Sequence, residues 1–327
     1  MTNRKINQPE IRYYNFIEAM ALVMEAVENN LLQAPLLVRE YTKHLAKSQG
    51  KYIRAKGLLI CSMNQENLVH ENAVHLAVSI EILHLATLVH DDIIDDSDVR
   101  RGEETLQKKF GKKRAVLCGD YLLSLSLKNS MSIKERDHYT EFNLPDYVSR
   151  LCLGELEQYA NNGNLELSTY RYLKIIRGKT ASLFEGAFIA GGIFSGEDKQ
   201  AQSAYGKLGR YMGMIFQLTD DCIDFEASES QAQKPVGKDY EDGVITLPLI
   251  YALKQNRELG VKLGQGRLGK EEIINQVFRL GGITFTKNVS KGYYEKSLRM
   301  MEGLNVSKEK STMLVDLLNK AYKGVTK

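Results

Sequence analysis

Two runs of aspartate carry the side chains most able to do chemistry: Asp91, Asp92, Asp95 and Asp96 in DDIIDD, and Asp220, Asp221 and Asp224 in DDCID. On a helix, residues four apart share a face, so Asp91 stands one turn from Asp95, and Asp220 one turn from Asp224. Carboxylates placed this way repel one another, and a hard divalent cation relieves the repulsion. Mg²⁺ suits the task, because it binds through one or two carboxylates, waters and phosphate oxygens. An isolated acidic run is usually a solvated helix end. Here each run closes an apolar stretch, VHLAVSIEILHLATLVHDD and GMIFQLTDDCIDF. Two such helices facing each other would hold several Mg²⁺ ions around one highly charged ligand. Cations complete the set: Arg100 and Arg101 just after the first run, Lys51 and Arg54 beside Gly50, and Lys179-Thr180 and Lys234 on other segments. Each alone reads as a surface charge. Together they suit metal-bridged phosphate, which Arg grips bidentately and Lys meets as a point charge.

The elements that must position these groups read as helices. There are 5 prolines and almost no alternating β-branched runs in the 327 residues. Phe16–Leu32, Asn72–His90, Ala115–Leu127 and Ile245–Lys254 carry apolar residues at helical spacing. The stretch before Asp91 is apolar on nearly every face, as in a helix inside a bundle. Interruptions fall at Gly50, Ser97–Gly102, Asn161–Asn164, Gly196–Asp198, Glu226–Gly243 and Leu304–Lys310, without a linker or repeat. The expectation is one all-α domain, residues 1–327, of about a dozen helices.

Bulk properties exclude other classes. A hydrophobic fraction of 43% and a charged fraction of 26% are those of a globular protein. The net charge of +3 is too small to argue for nucleic acid or an anionic membrane as partner. The start, MTNRKINQPE, has no signal-peptide character, and no uninterrupted apolar run approaches the roughly 18 residues of a membrane span. Cys61, Cys118, Cys152 and Cys222 are scattered, as in a reducing compartment. A cytoplasmic protein is expected.

The motifs resemble those of the trans-isoprenyl diphosphate synthases, or polyprenyl synthetase family, from about Gly50 to Leu253. DDIIDDSDVRRG looks like the family's first aspartate-rich motif and FQLTDDCIDF like its second. GKYIRA is similar to GGKRxRP, RGKTASLF to the Lys-Thr motif, and KPVGKDYEDGVITLPLIYAL to the segment after the second motif. The resemblance implies a helix bundle with a central cavity and a Mg²⁺-dependent head-to-tail condensation. Asp91, Asp95 and Asp220 would ligate Mg²⁺, with Asp92, Asp221 and Asp224 supporting the metal shell. Lys51, Arg54, His84 and Arg101 would hold the diphosphate of isopentenyl diphosphate. Arg100, Lys179, Thr180, Gln217 and Lys234 would surround the allylic diphosphate. The metal and cations stabilise the departing diphosphate, isopentenyl attacks the allylic cation, and the released diphosphate accepts the proton. The family most resembled is that of medium- and long-chain synthases, including component II-type heptaprenyl subunits.

Departures from the pattern are Gln49, Tyr52 and Ala55 around GKYIR, and Val244 where many relatives have a Lys. Val244 implies weaker allylic binding and raises a heterodimer with a small subunit beside the expected homodimer. Product length follows from Ala86 and Thr87, one turn before Asp91, where bulky aromatics stop growth in the family. Both are small, and the first motif lacks a two-residue insertion, so a product longer than geranylgeranyl is expected. Such a product would bring peripheral membrane contact.

Other readings compete, a short-chain (farnesyl or geranylgeranyl) diphosphate synthase among them. A zinc hydrolase fails because His75 is five residues after His70, not the four of HExxH. A calcium loop at Asp96-Ser97-Asp98 fails because Arg100 occupies a ligand position. A terpene cyclase-type lyase and a regulatory subunit remain. The set Lys51, Arg54, His84 and Arg101 argues against the first, and two complete aspartate clusters against the second.

Overall fold

The computed structural model describes residues 11–48, 50–134, 142–226 and 238–324. Lys234 and Gln49 therefore lie outside the described residues. The chain opens with β1 (Tyr13–Tyr14), α1 (Phe16–Leu32), α2 (Leu36–Leu45), α3 (Ile53–Ser62) and β2 (Val69–His70). The buried helix α4 (Glu71–Ile94) follows, then a hairpin of β3 (Val99–Arg100) and β4 (Glu103–Glu104), α5 (Leu106–Phe110) and α6 (Lys112–Ser130). Next come α7 (Leu144–Tyr159), α8 (Thr169–Ile176), a π-helical turn (Arg177–Ala181), α9 (Ser182–Phe194) and α10 (Lys199–Glu226). The rest is α11 (Lys238–Glu241), α12 (Leu247–Gln255), α13 (Arg257–Gly264), α14 (Lys270–Arg279), α15 (Gly282–Glu302) and α16 (Lys308–Lys323). The fold is all-α, apart from two-residue strand pairs: β1 with β2, and β3 with β4.

Local sequence explains several boundaries. Asn15 and Glu18 form a reciprocal capping box that starts α1 at Phe16. Ser168 and Ser307 cap α8 and α16 by accepting backbone N–H bonds. The His70 ring nitrogen accepts the Asn72 N–H at 3.0 Å and caps α4. Pro248 in the first turn of α12 sets its start two residues later than the apolar pattern suggests. Residues 238–241, inside an expected interruption, form α11, which is too short to show a period. Sixteen α-helices are described rather than about a dozen, because α5, α8, α11 and α13 are each eight residues or fewer.

Helix α4 is long and apolar enough to cross a membrane by length and composition, contrary to the expectation from uninterrupted runs. Of its apolar window, 61% is buried inside the fold, the situation of a core helix. It packs on α6, α3 and α1, while α3 continues onto α9, and α9 onto α10. One apolar cluster joins α1, α3, α4, α6, α9 and α16; a second joins α8, the C-terminal half of α10, and α12 to α15. Both aspartate runs therefore sit at the ends of helices fixed by deep packing. The cysteines are all free thiols.

Candidate active site

Helix α4 stops at Ile94, one residue before its aspartate pair is complete. Asp95 is the C-cap rather than a helical residue, but its N–H still bonds Asp91 O at 2.8 Å, so the two carboxylates stay one turn apart. The chain then turns back through the β3–β4 hairpin, whose two-residue loop is Arg101 (φ 53°) and Gly102 (φ 82°). Positive φ at both positions gives the twist that a tight hairpin needs. The turn returns Arg100 onto α4, where its Nε donates to Asp92 Oδ1 at 2.6 Å. Asp92, expected in the metal shell, is buried and occupied by Arg100, itself expected at the allylic diphosphate.

Asp91 meets a carboxylate the sequence reading did not single out. Glu155 of α7 shares its surroundings, and Lys179 of the π turn lies 3.0 Å from Glu155 Oε1. Burial, then Glu155, push the Asp91 carboxyl up to about 7, with Asp95 adding and Lys179 opposing. Glu155 is likewise raised, by burial first. Burial works against the charge on Lys179, yet its pKa is raised, because Glu155 and Asp91 outweigh that cost. What brings α7 so close is Gly154: a Cβ there would lie 2.2 Å from the Lys179 backbone nitrogen. The Gly-Glu pair was the available signal.

The second run lies wholly inside α10, with Asp220 exposed, Asp224 half-buried and Asp221 fully buried. Asp221 is held from two sides. Tyr172 of α8 donates its hydroxyl to Asp221 Oδ2, and Gln217 Nε2 donates to Oδ1 at 3.0 Å. Gln217 Oε1 in turn accepts from Thr180 Oγ1 at 2.8 Å. Burial pushes Asp221 up to about 7; the two hydrogen bonds oppose this, and Asp220 and Asp224 add to it. The π turn thus connects the two clusters, with Lys179 at the first and Thr180 at the second. Such widened turns are frequent at functional sites.

A separate group of cations lies on α3, α4 and the hairpin. The Arg54 guanidinium sits 4.4 Å over the Phe184 ring, and its buried Nε makes no hydrogen bond among the described residues. Burial lowers its pKa to about 10, with Glu81 opposing and Arg101 assisting. Arg101 Nη1 donates to Ser48 O at 3.1 Å and runs close over Gly50, where a Cβ would sit 3.1 Å from the same nitrogen. His84 is held well below the usual imidazole range by burial and by Arg54, Arg101 and Arg100, so it is neutral. Beneath them Glu81, raised by burial, accepts the Ala55 N–H at 3.0 Å and anchors the start of α3. Ser48, Gly50, Tyr52, His84 and Arg101 line a small cavity of about 40 Å³. Lys51 is exposed beside it. Positive charge is thus concentrated and partly stripped of water, a state that binding of a polyanion would relieve.

A family model described as polyprenyl synthetase matches residues 35–280. Heptaprenyl diphosphate synthase component 2 of Geobacillus stearothermophilus is 32% identical over 310 residues, covering 92% of this chain and 94% of that protein. The chain belongs to the polyprenyl synthetase family. Octaprenyl diphosphate synthase of Escherichia coli is 29% identical, over 87% of this chain and 90% of its own. The crystal structure of heptaprenyl diphosphate synthase from Staphylococcus aureus superposes with a TM-score of 0.87 at 30% identity, covering 96% of this chain and 99% of that one.

In this polyprenyl synthetase, the interior beyond the aspartates is apolar. Ala86 is buried and Thr87 half-buried, the Thr87 hydroxyl donating to His84 O at 2.8 Å. Neither projects bulk. Toward the other end of α4, a cavity of about 320 Å³ is lined by Leu76, Leu127, Phe142, Leu144 and Phe194, among others. Leu76 precedes Asp91 by 15 residues, about 22 Å along a helix.

Proposed function

We propose that this chain is an all-trans polyprenyl diphosphate synthase, condensing an allylic diphosphate with isopentenyl diphosphate to give a medium- or long-chain product. The observation that carries the reading is the presence of two differently built anion sites at one end of the bundle. One is carboxylate-rich and linked by Lys179 and Thr180. The other gathers Arg54, His84 and Arg101, with Glu81 beneath them committed to the Ala55 N–H. A cyclase-type lyase ionises one diphosphate and has no use for the second site.

The donor set suits Mg²⁺. Asp91, Asp95 and Asp220 offer hard oxygens, and burial, then the neighbouring Glu155, make the ionised Asp91 costly, a cost that a cation would relieve. Mg²⁺ needs few protein ligands, because it completes its shell with water and phosphate. Bound there, Mg²⁺ would supply electrostatic stabilisation of the departing diphosphate. The chain's own residues do the rest. Lys179 offsets charge on the allylic diphosphate. Gln217 holds Asp221 in orientation, and Arg100 holds Asp92. Arg54, Arg101 and Lys51 bind the second diphosphate, with neutral His84 as a hydrogen-bond partner. Placed this way, the double bond of isopentenyl diphosphate attacks the allylic carbon, and the diphosphate released takes the proton.

Ala86 and Thr87 leave the first turn below the aspartates open, and the named relatives make heptaprenyl and octaprenyl diphosphates, so we assign a product longer than geranylgeranyl. A homodimer is proposed through the exposed apolar side chains Leu117 of α6 and Leu153, Leu156 and Tyr159 of α7. A second reading, a subunit that needs a partner, draws on two points. The Geobacillus relative is named a component, and Val244 stands where the family resemblance expects a Lys. Incorporation of labelled isopentenyl diphosphate by the chain alone, with and without Mg²⁺, tests both. Mg²⁺-dependent chain growth supports the first reading. Absence of incorporation until a second component is added supports the other.

A further inference from the structure

The modest net charge of this chain conceals a strong local asymmetry. Residues 36–48 and 103–114 hold eight Lys and Arg against three Glu, a net +5, whereas the whole chain is only +3. The fold places these two segments together: α2 packs on α5 and α6, with Tyr41 edge-on to Phe110 at 5.0 Å and Lys109 Nζ 3.3 Å from His44 Nδ1. Lys43, Lys47, Lys109, Lys113 and Arg114 are exposed and have no carboxylate partner among the described residues. Lys108 and Lys112 pair with Asp98 and Asp96, which brings the balance of the flank from +5 to +3 within a small area.

The same flank carries exposed leucine. Leu36 and Leu37, in the first turn of α2, are 82% and 94% exposed. On that helix Leu36, Glu40 and Lys43 fall on one outward stripe, with Leu37 beside it and the exposed Lys47 in the turn that follows. Two wholly exposed leucines at the tip of a basic stripe match a surface that pushes apolar side chains between lipid headgroups while its cations meet acidic ones. The inner face of α2 points the other way: His44 and Leu45 line the cavities shared with His84, Arg100 and Arg101.

We propose that the flank formed by α2, α5 and the start of α6 docks on an anionic lipid bilayer. Its position beside the catalytic end then delivers a water-insoluble product straight to lipid; this consequence, but not the docking, rests on the function proposed above. Charge complementarity selects an acidic bilayer over an apolar protein partner.

The test uses the full chain without substrates, sedimented with vesicles of phosphatidylcholine alone or with phosphatidylglycerol added. Binding is expected only to the acidic vesicles and is expected to fade as salt is raised. Lys43→Glu combined with Lys47→Glu and Lys113→Glu should lower the partition coefficient at least about tenfold, and Leu36→Ser with Leu37→Ser should lower it too. Isopentenyl incorporation in vesicle-free buffer should be unchanged in both variants, so a failed synthase reading is distinguishable from failed docking. Equal binding to both vesicle types, binding unaffected by the variants, or no vesicle binding overturns the proposal. So does an altered oligomeric state in the leucine variant with vesicle binding intact, because the face would then join two copies of the chain.

Discussion

Lys179 and Thr180 are neighbours in the chain, yet their side chains serve different helices. Lys179 Nζ lies 3.0 Å from Glu155 of α7, and Thr180 Oγ1 donates at 2.8 Å to Gln217 of α10. The π turn that carries them is therefore a mechanical link between the two aspartate clusters. A disturbance on either side should be felt on the other.

Thr180→Val keeps the shape of the side chain but removes the donor to Gln217, leaving that amide free to rotate away from Asp221. The loss of one part-buried hydrogen bond should cost about 1 kcal/mol of stability. We expect KM for the allylic diphosphate to rise by about tenfold while KM for isopentenyl diphosphate holds. Steady-state kinetics with each substrate varied in turn will check this; equal effects on both would count against the link.

Gly154→Ala should be among the most damaging single-methyl changes in the protein. The added Cβ would lie 2.2 Å from the Lys179 backbone nitrogen, so α7 and the π turn must separate. Overpacking of this kind costs about 1–3 kcal/mol. Melting temperature and isopentenyl incorporation should fall together, and a variant of wild-type activity would refute the contact.

Asp91→Asn removes a carboxylate proposed to hold metal. We expect kcat to fall by about 10²–10³ and the affinity for Mg²⁺, measured calorimetrically with inorganic diphosphate present, to fall with it.

The pH dependence of stability has a defined sign. Asp91 and Asp221 both have folded values pushed up to about 7, against 3.8 for a fully solvated aspartate. Each binds its proton more tightly in the fold than in the unfolded chain, so their contribution is fully present below about 4 and is lost as pH rises through about 7. In metal-free buffer the melting temperature should therefore drop by about 5 °C between pH 6 and pH 8. Mg²⁺ with diphosphate should restore it, and a flat profile would show that burial does not raise these groups.

Ala86→Phe or Thr87→Phe places an aromatic ring one turn below Asp91 and should shorten the product. Chromatography of the products will decide; an unchanged length distribution would place the growing chain along another helix.

Much of this site was legible in the sequence, for a physical reason. Pairs of carboxylates at helical spacing after an apolar run are costly unless something binds there, so Asp91, Asp95, Asp220 and Asp224 announce themselves. Glu155 does not, because on the pattern of α7 it looks no different from the half-buried Glu157 next to it. Only the approach of Gly154 to the π turn distinguishes them. Tyr172 was hidden for a similar reason, as one ring in an amphipathic helix. Glu81 was readable in principle, since an acid inside VSIEILHLA has no solvent face to reach. Helix α4 stops one residue short of Asp95 because the chain must turn there to bring Arg100 back, a tertiary demand that periodicity does not record.

Helix α4 also bears on how the chain is made. Its apolar length satisfies the criteria for a membrane span, and only the finished bundle hides it. During synthesis it leaves the ribosome before α6, one of its main packing partners, exists. Until roughly the next forty residues have emerged, at the usual pace of a few seconds, this segment is a candidate for chaperones or for the insertion machinery. A ribosome-stalled chain long enough to bring α4 but not α6 out of the exit tunnel should be captured by such factors, and one long enough to bring Ser130 out as well should be released from them.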